Sequence, residues 1–129
     1  MSVKYVLVER GNPSNPQDPK KWYAIAKSAG ELTFRQLSKE IAGGSTTVSD
    51  TDVLAVLNDL NKLLKRHLEN GEIVRFGDFG SFQMGLSSSG VETPEKFHQS
   101  MIRSPKVVFR PGIDLKEMIN NLKFEKMQK

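Results

Sequence analysis

The chain has 129 residues, of which 26% are charged and 37% hydrophobic, and its 19 basic and 15 acidic residues leave a net charge of +4. This composition is typical of a folded globular protein and argues against a chain that is disordered throughout. Because the sequence has no cysteine, disulfides, thiolate nucleophiles and cysteine-ligated metals are excluded.

The N-terminal part predicts a small extension built on a β-hairpin. Residues 3–10 alternate and are rich in valine, which favours a strand, and residues 21–28 predict a second one. The three prolines of residues 11–19 place a loop between them. Trp22 and Tyr23 are expected to pack in the core of the extension, with stacking on nucleic-acid bases as the alternative.

Two helices are predicted next. Thr33 can cap a short helix that ends at two glycines. A longer helix begins after Ser49, because Ser49 and Asp52 form a capping-box pattern, and Gly71 is suited to its C-terminal cap. Its apolar stripe is wider than one short helix can cover, and comprises Val53, Val56, Leu57, Leu60, Leu63, Leu64 and Leu68.

The remaining residues predict a sheet and a last helix. The hydrophobic period changes after Gly71, and a long insertion separates the second strand from the third. Within the insertion, Pro94 indicates a single helical turn. The predicted elements are strands at 72–76, 79–86 and 106–110, followed by an amphipathic helix at 113–122.

Two segments carry a family resemblance. Residues 77–82 read Gly-Asp-Phe-Gly-Ser-Phe after the long helix, and residues 109–116 read Phe-Arg-Pro-Gly-Ile-Asp-Leu-Lys. With this order of elements, the chain resembles the HU and integration-host-factor family of histone-like proteins over about residues 32–124. The resemblance implies an α+β fold: a helical hairpin, a three-stranded antiparallel sheet with an arm, and a C-terminal helix, in an intertwined dimer. The extra N-terminal hairpin is expected at 1–30, the HU-like domain at 31–129, and the arm at about 83–106.

The family's function implies the partners and the contact residues. Proteins of this kind bind double-stranded DNA as dimers, largely independently of sequence, with arms in the minor groove. From Lys96 to Ile113 the chain has cations and no acidic residue, which suits phosphate contacts. The candidate DNA-binding residues are Arg75, Gly80, Ser81, Lys96, Arg103, Lys106 and Arg110. The candidate dimer core, in a homodimer, is Leu57, Leu60, Leu64, Phe79 and Phe82.

Simpler structural explanations exist for some of these candidate residues. Arg75 is more simply a solvated strand charge, and Gly80 and Ser81 could form only a tight turn. The family's arm-tip motif Arg-Asn-Pro is absent, while Glu92 and Glu95 make the near half of the arm acidic. The alternative function is therefore an HU-like structural or protein-interaction module with weak or no DNA binding.

Catalysis and metal binding are not indicated. The sequence has no Gly-x-Ser-x-Gly or Gly-x-x-x-x-Gly-Lys motif, so it predicts no enzyme, no cofactor and no small-molecule substrate. His67 and His98 are isolated, which makes a metal site improbable. No apolar run approaches the length of a membrane span. We expect a cytoplasmic protein of the nucleoid without a membrane partner.

Overall fold

The computed structural model describes residues 1–44 and 46–127 of the chain. Two single 3-10 turns, Pro94–Lys96 and Gln99–Met101, lie between the fourth and fifth strands. In chain order the strands and helices are β1 (Val3–Arg10), β2 (Lys21–Lys27), α1 (Phe34–Ala42), α2 (Asp50–Glu69), β3 (Val74–Phe76), β4 (Gly80–Ser88), β5 (Ile102–Pro111), α3 (Ile113–Asn120) and β6 (Phe124–Lys126).

The chain divides into two units. The first comprises Met1–Thr33 together with Met118–Lys129, and the second comprises Phe34–Glu117. The sequence places its boundary at residue 30 and assigns everything beyond it to one domain. In the structure, the segment after Glu117 belongs with the N-terminal strands instead.

A three-stranded sheet forms the first unit, in the order β2-β1-β6. β1 and β2 are the antiparallel hairpin that the alternation predicts, whereas β6 pairs parallel with β1. Val3 N donates to Lys123 O at 2.8 Å and Met127 N donates to Tyr5 O at 2.8 Å, which fixes the C-terminal segment along β1. Lys4 Nζ lies 3.0 Å from Glu125 Oε2, and its hydrogen bond holds the pKa of Glu125 below the usual range.

The expectation that Trp22 and Tyr23 pack in a core is wrong. Their exposed fractions are 64% and 48%. They are neighbours in β2 and therefore point to opposite faces of the sheet. The strands described in this unit form one sheet, which leaves both side chains exposed.

Helices α1 and α2 of the second unit contact each other, in agreement with the predicted helical hairpin. Ser49 caps α2 as expected, because its Oγ accepts a hydrogen bond from Asp52 N at 3.2 Å. Gly71 follows the helix with φ +79°, a left-handed conformation that glycine adopts without steric cost. Among the described residues, Val53 and Leu68, both on α2, are the buried apolar side chains.

The second sheet has the order β3-β4-β5, with antiparallel pairing throughout. The α+β arrangement implied by the family resemblance is therefore confirmed. β5 begins at Ile102 rather than at residue 106, and β4 extends to Ser88 rather than ending at residue 86. The single helical turn expected at Pro94 is present. Over the described ranges, no helix is long and apolar enough to cross a membrane.

Candidate nucleic-acid interface

The sheet of the second unit has two chemically different faces. Successive strand residues point to opposite faces, and directly paired residues share one, so the register assigns each side chain. Ser81 pairs with Arg75 on one side and with Arg110 on the other, so its hydroxyl lies between two arginines. We call this the basic face, and its residues are Arg75, Ser81, Gln83, Gly85, Ser87, Arg103, Lys106, Val108 and Arg110.

A β-bulge completes the basic face. Gly85 pairs with Lys106, and Ser87 pairs with Arg103, so two residues of β5 lie opposite one residue of β4. Gly85 and Ser87 are two positions apart and share a face. Their partners Arg103 and Lys106 must then share that face too. In a regular strand these two cations, three positions apart, would point to opposite sides of the ribbon.

The bulge also explains how a proline lies within β5. Ser104 has φ +54°, the one positive value at a non-glycine residue in the described ranges. Pro105 has no backbone N–H to give to a ladder and is tolerated in strands mainly at edges and bulges. Because a proline usually interrupts a strand, the sequence predicts that β5 starts after Pro105. The bulge accommodates Ser104 and Pro105, so the strand instead begins earlier, at Ile102.

The cations of the basic face are available to a ligand. Arg75, Arg103, Lys106 and Arg110 are all exposed. The ion pairs among the described residues join Lys4 to Glu125, His67 to Glu72, and Lys96 to Glu92, and none includes these four cations. The face therefore presents four positive charges that no acidic side chain of the described chain neutralises.

Gln83 is one of the basic-face residues that the sequence does not single out, and it can bind a phosphate through its side chain. It lies two positions beyond Ser81 and pairs with Val108. Its amide can donate and accept hydrogen bonds beside the arginines. Strand alternation indicates that Gln83 shares a face with Ser81. Which face that is becomes known only with the strand register.

Gly80 does not belong with these residues. It pairs with Phe76 and Pro111 on the opposite, apolar face. A Cβ built on Gly80 would come within 2.7 Å of the Phe109 ring. The structure therefore gives Gly80 a packing role, while Ser81 lies at the centre of the basic face.

Lys96 is also separate from the basic face. It ends the 3-10 turn Pro94–Lys96, beyond the ladder formed by β4 and β5. Its Nζ lies 3.2 Å from Glu92 Oε2, four residues earlier in the chain. The end of the arm thus combines a paired cation with the carboxylate of Glu95, and its charge differs from that of the strands.

The apolar face carries an aromatic cluster. The Phe82 ring centroid lies 5.1 Å from that of Phe76 and 4.9 Å from that of Phe109, and Phe79 lies 5.6 Å from Phe109. Beside it, a groove of about 470 Å³ runs between α2 and the sheet. The groove is lined by Asn61, Leu64, Lys65, Leu68, Glu69, Phe82, Met84 and Val107.

The residues expected in a dimer core are incompletely covered. Leu60 and Phe79 are exposed, while Leu57, Leu64 and Phe82 are half-buried. Two neighbours on the same surfaces are more exposed still: Val56 at 63% and Val107 at 57%. One copy of the chain therefore leaves a broad apolar surface open.

The two histidines lie apart from the basic face. His67 Nδ1 lies 3.0 Å from Glu72 Oε1, and His98 Nδ1 lies 2.8 Å from Ser100 Oγ. No cluster of three or more metal-ligating side chains occurs within residues 1–44 and 46–127.

Comparison with known sequences gives consistent similarities. The family model HU-HIG, described as an HU domain fused to wHTH, Ig, or glycine-rich motif, matches residues 1–126. The chain is 30% identical over 91 residues to the integration host factor subunit beta of Histophilus somni strain 2336. That alignment covers 69% of this chain and 97% of the relative. The same protein from strain 129Pt gives the same values.

Two solved structures share the fold. A Bacteroides vulgatus protein, described as a candidate bacterial DNA-binding protein, superposes with a TM-score of 0.64 at 13% identity. The match covers 98% of this chain and 48% of that one, so the chain spans about half of its length. An Anabaena HU in complex with DNA superposes with a TM-score of 0.54 at 17% identity, over 70% of this chain and 99% of that one.

Proposed function

This chain belongs to the HU and integration-host-factor family, in the branch whose model describes an HU domain fused to a further motif, and on that premise we propose that it is a nucleoid protein that binds double-stranded DNA as a homodimer. The related Histophilus protein is an integration host factor subunit, and the Anabaena HU structure is a complex with DNA. The proposal applies the function of these relatives to this chain.

The basic face is the observation that carries the proposal. Four exposed cations lie along one side of the β3-β4-β5 sheet, and the residues between them are mostly small or polar. Small side chains let a polyanionic backbone approach closely, and arginine matches the geometry of phosphate. Contacts of this type hold the duplex without reading base identity. We therefore propose binding that is largely independent of sequence and strongly dependent on salt.

The open apolar surface supports the homodimer. Exposed valine and leucine on α2 and exposed aromatic and aliphatic residues on the sheet would be covered by the same surfaces of a second copy. The groove beside Leu64 and Phe82 offers a place for an apolar side chain of that copy. A symmetric partner would also give the assembly two basic faces.

Sharp bending of DNA is not part of the proposal. Of the two prolines in the arm, Pro105 lies within the bulge and Pro94 begins a turn flanked by Glu92 and Glu95. Neither has the surroundings of a wedge that enters a base step between phosphates.

A protein-interaction module is the second candidate, and the arm tip is the observation that favours it. Lys96 is paired with Glu92, and no ion pair among the described residues includes the neighbouring Glu95. The arm tip therefore has an acidic charge that no cation of the described chain pairs with. A surface of this kind suits a protein partner better than a phosphate backbone. This candidate keeps the dimer and lacks salt-dependent DNA affinity.

We further propose that the chain performs no catalysis and works in the cytoplasm at the nucleoid. The family's members are architectural proteins, and the contacts inferred here hold DNA without changing a covalent bond.

DNA titration with matched variants tests the proposal. The purified chain is titrated with a linear duplex between about 50 and 200 mM salt, where several phosphate contacts change affinity by orders of magnitude. The double variant Arg103→Ala/Lys106→Ala should lower both the affinity and the salt slope. Lys39→Ala/Lys62→Ala removes two exposed helical cations and should change neither. Absence of binding by the wild type at low salt would overturn the proposal in favour of the protein-interaction module.

A further inference from the structure

The excess positive charge of the chain lies outside its HU-like unit. Phe34–Glu117 contains 11 basic and 11 acidic residues, whereas Met1–Thr33 with Met118–Lys129 contains 8 basic and 4 acidic residues. The net charge of +4 therefore belongs to the unit built on the N-terminal sheet. A polyanion would be attracted to this unit at least as strongly as to the second one.

One face of the N-terminal sheet concentrates these cations. Arg10 pairs with Lys21 at one end of the β1–β2 ladder, and Lys4 pairs with Lys27 at the other. Directly paired residues share a face, and even-numbered positions of β1 lie on the same face. We call this the N-terminal basic face, and it consists of Lys4, Val6, Val8, Arg10, Lys21, Tyr23, Ile25, Lys27 and Glu125.

The Arg10 end of this face is a cleft. Arg10, Lys21 and Tyr23 line a cavity of about 410 Å³ together with the start of the proline-rich loop. Like charges on directly opposite residues destabilise a sheet, and no ion pair among the described residues includes Arg10 or Lys21. An anion bound between them would offset that repulsion.

Asp18 also lines the cleft, and its carboxylate accepts hydrogen bonds from side chains of the loop. The carboxylate oxygens of Asp18 accept hydrogen bonds from Asn12 Nδ2 at 3.3 Å and from Asn15 Nδ2 at 2.9 Å. These contacts hold Asp18 within the loop. At the other end of the face, by contrast, Glu125 directly pairs with Lys4 at 3.0 Å.

The spacing of the two ends suits an extended ligand. Arg10 and Lys4 are six positions apart on one strand, a separation of about 20 Å at about 3.3 Å per residue. A small anion can occupy only one end. Duplex DNA carries a phosphate on each strand about every 3.4 Å along its axis, so about six base pairs would span both ends.

We propose that the N-terminal basic face is a second DNA-contacting surface, on which Arg10 and Lys21 bind backbone phosphate at the cleft and Lys27 binds it at the far end. The inference rests on the proposed function, since it takes DNA as the ligand of the chain. Tyr23, which also lines the cleft, packs beside the bound backbone. The surface adds affinity without sequence information, because it contacts phosphates rather than base edges.

The test removes two cations from the N-terminal basic face or two from the basic face, each in the full chain. Arg10→Ala/Lys21→Ala is set beside Arg103→Ala/Lys106→Ala and the helical control Lys39→Ala/Lys62→Ala in the same duplex titration. For the N-terminal variant we expect the slope of log affinity against log salt to fall by about two units. The charge-conserving variant Arg10→Lys should keep most of the wild-type slope. Thermal unfolding of each variant shows whether the sheet has been retained.

The titration distinguishes failure of this inference from failure of the proposed function. A wild-type slope in the folded N-terminal variant, with a reduced slope in the Arg103→Ala/Lys106→Ala variant, would overturn the second surface and leave the proposed function standing. Weaker binding without a change in slope would also overturn it, because the loss would then be structural. Absence of binding by the wild type would overturn both.

Discussion

Arg103 and Lys106 lie on the same face of the β4–β5 ribbon although they are three positions apart in the chain. Residues three apart in a regular strand point to opposite faces. The bulge at residues 104–105 reverses that relationship and aligns both side chains with Arg110. The charge of the basic face therefore depends on a single irregularity in β5.

Insertion of one alanine between Leu86 and Ser87 should disrupt this alignment. The extra residue of β5 then has a partner on β4, so the ladder regains regular alternation and Arg103, three positions from Lys106, moves to the apolar face. We expect the salt slope of DNA binding to fall by about one unit, as for loss of one phosphate contact. Insertion of one alanine after Gly90, which lies outside both strands, is the control and should leave the slope unchanged. Equal effects of the two insertions would contradict the role of the bulge.

Lys96 should contribute less to DNA binding than Arg103. Its ammonium group is paired with Glu92 at 3.2 Å, so a phosphate would have to compete with that carboxylate. We expect Arg103→Ala to lower the salt slope by about one unit and Lys96→Ala by less than about half a unit. Glu92→Gln should raise affinity at low salt. An equal or larger loss in Lys96→Ala would show that the arm tip, rather than the basic face, holds the DNA.

Gly80→Ala should destabilise the fold. The added Cβ would meet the Phe109 ring within 2.7 Å, and overpacking of this kind costs about 1–3 kcal/mol. Denaturant unfolding measures the loss. Gly90→Ala is the matched substitution, because a Cβ at that position meets nothing within 4 Å. If both variants unfold at the wild-type midpoint, the aromatic cluster is not the constraint on Gly80.

Leu60→Glu should weaken the dimer. Leu60 belongs to the exposed apolar stripe of α2, and burying a leucine side chain in an interface is worth about 1.5–3 kcal/mol. A buried, unpaired carboxylate adds a further penalty. Sedimentation equilibrium should therefore show a shift toward the monomer. Ala55→Glu, which adds the same charge at an exposed position off the stripe, should remain dimeric, and a monomeric wild type would contradict the dimer itself.

Local signals in the sequence were sufficient for the helices and most of the strands. Ser49 and Gly71 mark the ends of α2 because capping depends on a few adjacent residues. β6 could not be foreseen. It has three residues and pairs with β1, whose partner positions lie more than a hundred residues earlier in the chain. No local periodicity reports such a pairing.

The candidate site was only partly foreseeable for a related reason. Basic residues near the end of the chain are visible in the sequence, but the face that each one occupies depends on strand register and on the bulge. The sequence therefore favours Arg75 as a solvated strand charge, whereas the structure pairs it directly with Ser81 on the basic face. The family resemblance and the basic strip predict Gly80 and Lys96 as DNA contacts, and the structure places both outside the basic face.

Photo-crosslinking from two adjacent residues of β4 tests the basic face most directly. Gln83 lies on the basic face and Met84 on the apolar face. Because the chain has no cysteine, Gln83→Cys and Met84→Cys each provide a unique attachment point for the same photoreactive group. With bound duplex DNA, we expect crosslinks from position 83 and few or none from position 84. Crosslinks from position 84 alone, or from neither position under conditions where DNA is bound, would contradict DNA binding on this face.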